Sequence, residues 1–462
     1  MVRIHVLPDD VLLDIFDFYV GTFSWYETKA RIEEWQTLVH VCRRWRNLVL
    51  ASPRRLNLQL YCTPKTPARD TLDIWPTLPI IVSDRFVTDN VVSDNIIAAL
   101  EQSNRVRLVN LHRASWRLEK VLATMQAPYP ELTDLLLISD TPPPVIPDPF
   151  LGGGSAPRLQ EFELDGIVFP GLPKLLLSAT HLAYLGLFNI PHSGYISPEA
   201  IVALLSTLSS LESLSLGFQS SQSRPDSESP TLPPPKRSIL PALIDIYLKV
   251  PTEYLEELVT RVDTPQLDYM GISFFNQFDL DAPRLAQFIN CTPKLKAPDK
   301  AFLKFNEYST SVVLLDQSKN LDILILCEGP DRQLSSVAHV CNSLPPLSTV
   351  EDLYIEDRCS PITWNNDATR NTLWLQFLLQ FTAANNLYLS EELAPGIAAT
   401  LQELVGSRIT EVLPSLQNIF VEKLEPSGPF QEGIGQFAVA RQLSGHPIAI
   451  SEWDKDFDML ST

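Results

Sequence analysis

Apolar residues recur along this chain as L-x-x-L-x-L, with Leu, Ile, Val, Met or Phe filling each apolar place. The pattern stands at Val106-Val109-Leu111, Leu132-Leu135-Leu137, Leu159-Phe162-Leu164, Leu182-Leu185-Leu187 and Leu211-Leu214-Leu216. It returns at Leu243-Ile246-Leu248, Leu267-Met270-Ile272, Leu321-Leu324-Leu326, Val350-Leu353-Ile355 and Leu416-Ile419-Val421, with a weaker copy at Ala384-Leu387-Leu389. Successive starts lie about 23 to 34 residues apart, except that Leu267 and Leu321 are two such periods apart. A degenerate copy at Leu295-Lys296-Ala297-Pro298 divides that gap. Backward extrapolation places strands near Leu56 to Leu60 and Ile80 to Val82. The last two apolar places of each copy alternate with polar ones, so each copy predicts a strand with one face buried. Helical spacing fills the intervals, as in PEAIVALLSTL (198–208) and EYLEELVTRV (253–262).

A steady period of strand, turn, helix and turn is the unit of a leucine-rich-repeat solenoid. The expected fold is therefore α/β, a parallel strand ladder with helices on the convex side, running from 61 to 450. A doubly wound parallel sheet is the alternative, but it does not account for so regular a spacing. The place where such repeats carry an Asn ladder holds Asp140, Ile167, Ile190, Gln219 and Gly329, so the predicted solenoid is irregular. Two Pro/Ser/Gly-rich stretches, 141–157 and 219–238, read as loops. Residues 451–462 read as an acidic C-terminal tail.

The first 60 residues have a different pattern. Pro8 suits a first helical turn, and Asp9 and Asp10 complement its dipole. Leu12, Ile15, Phe16 and Tyr19 form one stripe, which Val11 and Phe18 widen. A second helix is predicted with Leu38, Val41, Cys42, Trp45, Leu48 and Val49 on one side and Arg43, Arg44 and Arg46 opposite, stopping before Pro53. LPDDVLLDIFDFY followed by WQTLVHVCRRWRNLV resembles an F-box, the helical module that docks on the Skp-type adaptor of cullin–RING ubiquitin ligases. The connection from Val20 to Glu34 is longer than that family's usual one. The resemblance implies that Leu7, Pro8, Val11, Leu12, Ile15 and Phe16 contribute to the adaptor interface. Val41, Cys42 and Trp45 would accompany them, in the helical core or at its border. F-box followed by irregular repeats resembles the large F-box families expanded in mushroom-forming fungi.

Charge and composition narrow the function. A formal net charge of -19 repels phosphate backbones and anionic lipid, so neither nucleic acid nor a membrane surface is an expected partner. Six cysteines without CxxC spacing, no secretory leader pattern and no long apolar run point to a cytoplasmic or nuclear protein. Gly152-Gly153-Gly154 lacks the following Gly-Lys-Ser/Thr of a nucleotide loop, and neither a GxSxG nor an HExxH motif occurs. The two His-Val-Cys triplets put His and Cys on different helix faces, unsuited to a metal. No catalytic residue, metal or cofactor is expected, and the chain is not read as an enzyme.

What remains is a binding surface. Residues beside the buried ladder places point to the concave side: Glu161, Glu163, Tyr184, Phe188, Tyr247, Tyr269, Tyr354, Glu356, Tyr388 and Phe420 among them. Aromatics with carboxylates suit recognition of a protein segment, basic ones included. The resemblance implies a substrate-recognition subunit, bound to a Skp-type adaptor and through it a cullin, that holds an unidentified protein substrate. The alternative is a non-ligase repeat scaffold whose first helices only cap the solenoid.

Overall fold

The first apolar residue of each repeat closes a turn. Leu132, Leu159, Leu182, Leu211, Leu243, Leu267, Val350, Ala384 and Leu416 each donate the backbone N–H to the carbonyl three residues earlier. The chain then runs extended, and the following alternate residues are sealed. A computed structural model describes residues 7–20, 34–75, 77–84, 94–113, 115–139, 143–169, 171–221, 237–275, 282–295, 297–316, 318–357, 368–404, 406–424 and 429–453. The chain divides into two compact units, 1–195 with 207–211 and 196–206 with 212–462.

In the first unit, β1 (Leu60–Cys62), β2 (Ile80–Ser83), β3 (Val106–Arg113), β4 (Asp134–Ser139), β5 (Glu161–Asp165) and β6 (Tyr184–Ile190) pair in chain order, all parallel. Leu135, Leu137, Phe162, Leu164, Leu185 and Leu187 are buried on one face, each such side chain worth roughly 1.5–3 kcal/mol of transfer. Helices Asp94–Leu100 and Ser115–Thr124 pack as neighbours between the strands. The predicted loop 141–157 is ordered over its described part. Ile146 donates to the Val168 carbonyl at 2.8 Å, and Phe150 and Leu151 are buried.

The helical module belongs to this unit. Helix α1 (Asp9–Val20) packs on α2 (Glu34–Val41) and α3 (Arg43–Ala51). The single second helix expected from the sequence is broken at Cys42, whose extended backbone and side-chain sulfur cap α3, the sulfur accepting from the Trp45 N–H at 3.5 Å. Leu12, Leu13, Phe16, Trp35, Leu38 and Val49 share one core with Leu56, Leu58, Leu60 and Leu78. That core crosses the expected boundary at residue 60.

In the second unit the ladder contains β7 (Ser213–Phe218), β9 (Asp245–Lys249), β11 (Tyr269–Phe274), β12 (Lys300–Phe305), β13 (Ser309–Asp316), β14 (Ser318–Leu326), β15 (Asp352–Asp357), β16 (Asn386–Leu389), β17 (Asn418–Glu422) and β18 (Ala449–Trp453). Short strands β8 (Ser238–Ile239) and β10 (Val262–Asp263) pair separately, and residues 222–236 of the predicted loop lie outside the described residues. The helices Thr252–Arg261, Pro283–Cys291, Pro330–Ser343, Ala368–Leu378, Ala394–Gln402 and Pro429–Leu443 lie between strands and pack on their neighbours.

The gap between the strand after Leu267 and the strand that holds Leu321 contains two strands, β12 and β13, not one degenerate copy. β14 pairs parallel with β11, β12 pairs parallel with β15, and β13 lies between them antiparallel to both. The buried members of β12 are Ala301, Leu303 and Phe305, three residues beyond the frame read at Leu295. In β14 the buried residues are Leu321, Ile323 and Ile325, so the frame Leu321-Leu324-Leu326 is off by one. A shift of one residue turns the whole strand over. β18 extends to Trp453, three residues into the segment read as a tail.

Among the described residues the expected Asn-ladder places Ile167, Ile190, Gln219 and Gly329 hold no Asn, and Asp140 lies outside the described residues. A main-chain frame links successive repeats there. The Thr133 carbonyl accepts from the N–H groups of Gln160 and Glu161, and the Gln160 carbonyl from Ala183 and Tyr184. Glu212, Ile244, Asp299, Glu351 and Asn385 repeat this two-donor pattern in the second unit, at 2.8 to 3.1 Å.

Candidate protein-binding surfaces

Helix α1 has two apolar faces with different fates. Leu12 and Phe16, expected at the adaptor interface, are sealed in the module core instead, because Phe16 meets the Trp45 ring edge-on at 4.7 Å. Pro8, Val11 and Ile15 are exposed, Phe18 is 92% exposed and Tyr19 is half in water. Leu7 is partly buried against the core, and its carbonyl accepts from Arg44 Nη2 at 2.6 Å. Arg44 also pairs with Asp9 at 2.6 Å, which fixes the start of α1 against α3. Val41 is 59% exposed and Cys42 is exposed, because the break between α2 and α3 turns them outward from the core; Trp45 is half-buried at its border. Val11, Ile15, Phe18 and Tyr19 thus form a partly exposed stripe at helical spacing, with the Tyr19 hydroxyl against Thr37 of α2 at 3.4 Å and Phe18 almost fully in water.

The second surface is the sheet face opposite the buried leucines. In the first unit, register aligns Leu108, Asp134, Glu161 and Tyr184 in one row and Leu136, Glu163 and Gly186 in the next. Tyr184 donates its hydroxyl to Glu163 Oε2 at 3.2 Å. Burial chiefly, and neighbouring carboxylates after it, push the Glu161 carboxyl above its ordinary range. Glu163 and Asp134 are raised too, burial outweighing the Tyr184 hydrogen bond on one and Thr133 and Arg107 on the other. A Cβ on Gly186 would meet Tyr184 Oη at 2.7 Å and Phe188 Cε2 at 3.0 Å, so both rings lean over the bare backbone there.

In the second unit Tyr247 and Tyr269 lean in the same way over Gly271, where a Cβ would stand 2.7 Å from Tyr247 Cδ2. Burial and the nearby Asp322 push the Tyr269 phenol up to about 12. Farther along, four strands align their rings in a file. Phe302 stacks on Tyr354 at 4.3 Å, Tyr354 on Tyr388 at 4.1 Å and Tyr388 on Phe420 at 4.6 Å, all within about 11° of parallel. Beside the file, Asn386 donates to Asp352 at 2.6 Å and Asn418 to Asn386 at 2.8 Å.

Of the residues predicted to bind substrate, Tyr184, Phe188, Tyr247, Tyr269, Tyr388 and Phe420 are partly exposed on this face. Tyr354 and Glu356 are buried, a correction to the expectation. Tyr354 lies beneath Trp453, whose ring centroid is 5.8 Å away. Sequence reasoning missed Phe302 because its strand fell in the misread gap. The alternation in KAFLKF (300–305) was the available signal. It also missed Trp453, whose AISEW strand was assigned to a tail.

Among the described residues no cluster of three or more His, Cys, Asp or Glu is arranged to hold a metal, and no helix is long and apolar enough to cross a membrane. No family model and no curated protein matches this chain. Among solved structures it is similar to the leucine-rich repeat-containing protein LegL7 from Legionella pneumophila, at 13% identity over 84% of this chain and 97% of that one, with a TM-score of 0.27.

Proposed function

We propose that this chain is a protein-interaction subunit of a Skp-adaptor–cullin–F-box ubiquitin ligase, with the adaptor on α1 and a protein substrate on the open sheet face. The observation that carries the reading is the stripe Val11, Ile15, Phe18 and Tyr19, exposed in part, with Phe18 almost wholly in water, while the adjoining face with Leu12 and Phe16 is sealed. Exposed rings at helical spacing cost solvation unless a partner covers them. The chain itself performs no chemistry in this reading. Holding a substrate beside a charged conjugating enzyme raises the effective concentration of its lysines. Partly buried carboxylates with raised affinity for protons, set among Tyr side chains, favour a basic segment as the substrate's contact.

The test uses the full chain. Ile15→Glu with Phe18→Ser should abolish capture of a purified Skp-type adaptor while the chain stays folded by thermal scan, since Ile15 is exposed in part and Phe18 almost fully. Undiminished capture by that variant would overturn the assignment.

A second reading has its own observation. The module shares its core with Leu58, Leu60 and Leu78 of the ladder's beginning, as a solenoid cap does. A scaffold capped in this way would not capture the adaptor even as the unaltered chain.

A further inference from the structure

We propose that the aromatic file Phe302–Tyr354–Tyr388–Phe420 is a docking surface for one aromatic side chain carried on an extended peptide strand, and that Trp453 occupies it in cis. The inference rests on the open sheet face being a protein-binding surface, and it names what one part of that face takes.

The file is flat and continuous across β12, β15, β16 and β17, and it stops at β18. There the register partner of Phe420 is Ser451, which has no ring to continue the stack. Two residues on, Trp453 folds back across the file instead. Its centroid lies 5.6 Å from Tyr388 and 5.8 Å from Tyr354, at 64° and 55° to them. Edge-on and tilted contacts of this kind are the favoured way for a ring to sit on an aromatic surface.

Besides its main-chain pairing with β17, the strand that delivers Trp453 buries little else. Ala449, Ser451 and Glu452 are exposed and Ile450 is half-exposed, whereas Trp453 is 5% exposed. β18 pairs on one side with β17, starting with the Ala449 N–H to the Gln417 carbonyl at 2.8 Å. The preceding helix is anchored independently. Arg441 is fully buried and donates to the Leu416 carbonyl at 2.9 Å, and Gly445, at φ 79°, turns the chain out of the helix. Residues beyond that turn can leave without disturbing the anchor. An incoming strand would take over the main-chain bonds of β17 and place its own ring on the file. The chemistry of the ligand follows from register: an aromatic residue, Trp foremost, two positions after a small one.

The probe is a fluorescein-labelled peptide PIAISEW, residues 447–453, titrated by anisotropy against the full-length chain. Trp453→Ala should bind it at least about tenfold tighter than the unaltered chain, and Ala449→Pro with Trp453→Ala should bind it tighter still. Trp453→Phe should stay near the unaltered chain. Adding Tyr388→Ala to Trp453→Ala, or replacing the peptide's Trp by Ala, should abolish the gain. Equal binding to the unaltered, Trp453→Ala and double-variant chains, or a gain indifferent to Tyr388→Ala, would overturn the proposal. If that happens while a substrate's retention still depends on Tyr247, Tyr269 or Glu161, the broader reading stands and only the file is misassigned. If retention depends on no open-face residue, the broader reading fails as well.

Discussion

The Trp35 indole N–H donates to the Gln59 carbonyl at 3.0 Å, inside the core that joins the helical module to the first strand. Trp35 is fully buried, and Trp75 from beyond the expected boundary meets it edge-on at 5.1 Å. Trp35→Phe keeps most of the ring and removes the donor, leaving a buried carbonyl unsatisfied. The expected loss is about 1–3 kcal/mol, read from the urea midpoint of the full chain.

Neighbouring residues of α1 should respond in opposite ways. Leu12→Ala empties a sealed site and should cost roughly 2–5 kcal/mol, whereas Phe18→Ser should leave the unfolding temperature within about a degree. Thermal unfolding of the two single variants measures this without any adaptor. Equal destabilisation would show that Phe18 is packed in solution.

The acidic rows of the first unit carry a pH dependence of definite sign. Glu161, Glu163 and Asp134 hold their protons more tightly in the folded chain than an unfolded carboxyl does. Their contribution is fully present below the ordinary carboxyl pKa and is lost as pH rises through the raised values. Glu161→Gln with Glu163→Gln should therefore reduce the fall in unfolding temperature between about pH 4 and pH 7. The comparison is a thermal scan of both proteins across that window.

Arg441 is a buried cation whose partners are carbonyls. Nη2 donates to Leu416 at 2.9 Å, longer contacts reach Ile409 and Pro414, and Nε has no hydrogen-bond partner among the described residues. Burial pushes its pKa down. Arg441→Met removes the donors from the turn that precedes β17. A loss of about 1.5–3 kcal/mol is expected by denaturant titration, with faster hydrogen exchange at Leu416 and Gln417.

Much of the ladder was legible because its signal is a period. Leu135, Phe162, Leu185, Ile246, Met270, Leu353 and Ile419 were placed on the buried face by spacing alone. The reading failed where the period was interrupted. Between Leu267 and Leu321 one strand, β13, runs against the ladder, and Leu324, read as buried, lies on the other face from Ile323. Helix α1 shows a different limit. Its apolar residues cover more than one side, and sequence cannot say which side the same chain seals. Leu12 and Phe16 went inward, Ile15 and Phe18 outward. Tyr354 was correctly placed on the open face, but its cover, Trp453, comes from a strand 99 residues later (453 − 354), and local pattern contains no trace of that contact.

The two-donor carbonyl frame has an evolutionary corollary. Its accepting group, the main-chain carbonyl, is common to every amino acid, and the side chains at Thr133, Gln160, Glu212, Ile244, Asp299, Glu351 and Asn385 span six types, so substitution there should leave the alignment of successive repeats intact. Proline is the exception: lacking the N–H, it would silence one donor wherever it landed at Gln160, Glu161, Asn385 or Asn386. A saturation scan of Gln160 and Asn385, read by thermal unfolding, should tolerate most side chains and reject proline.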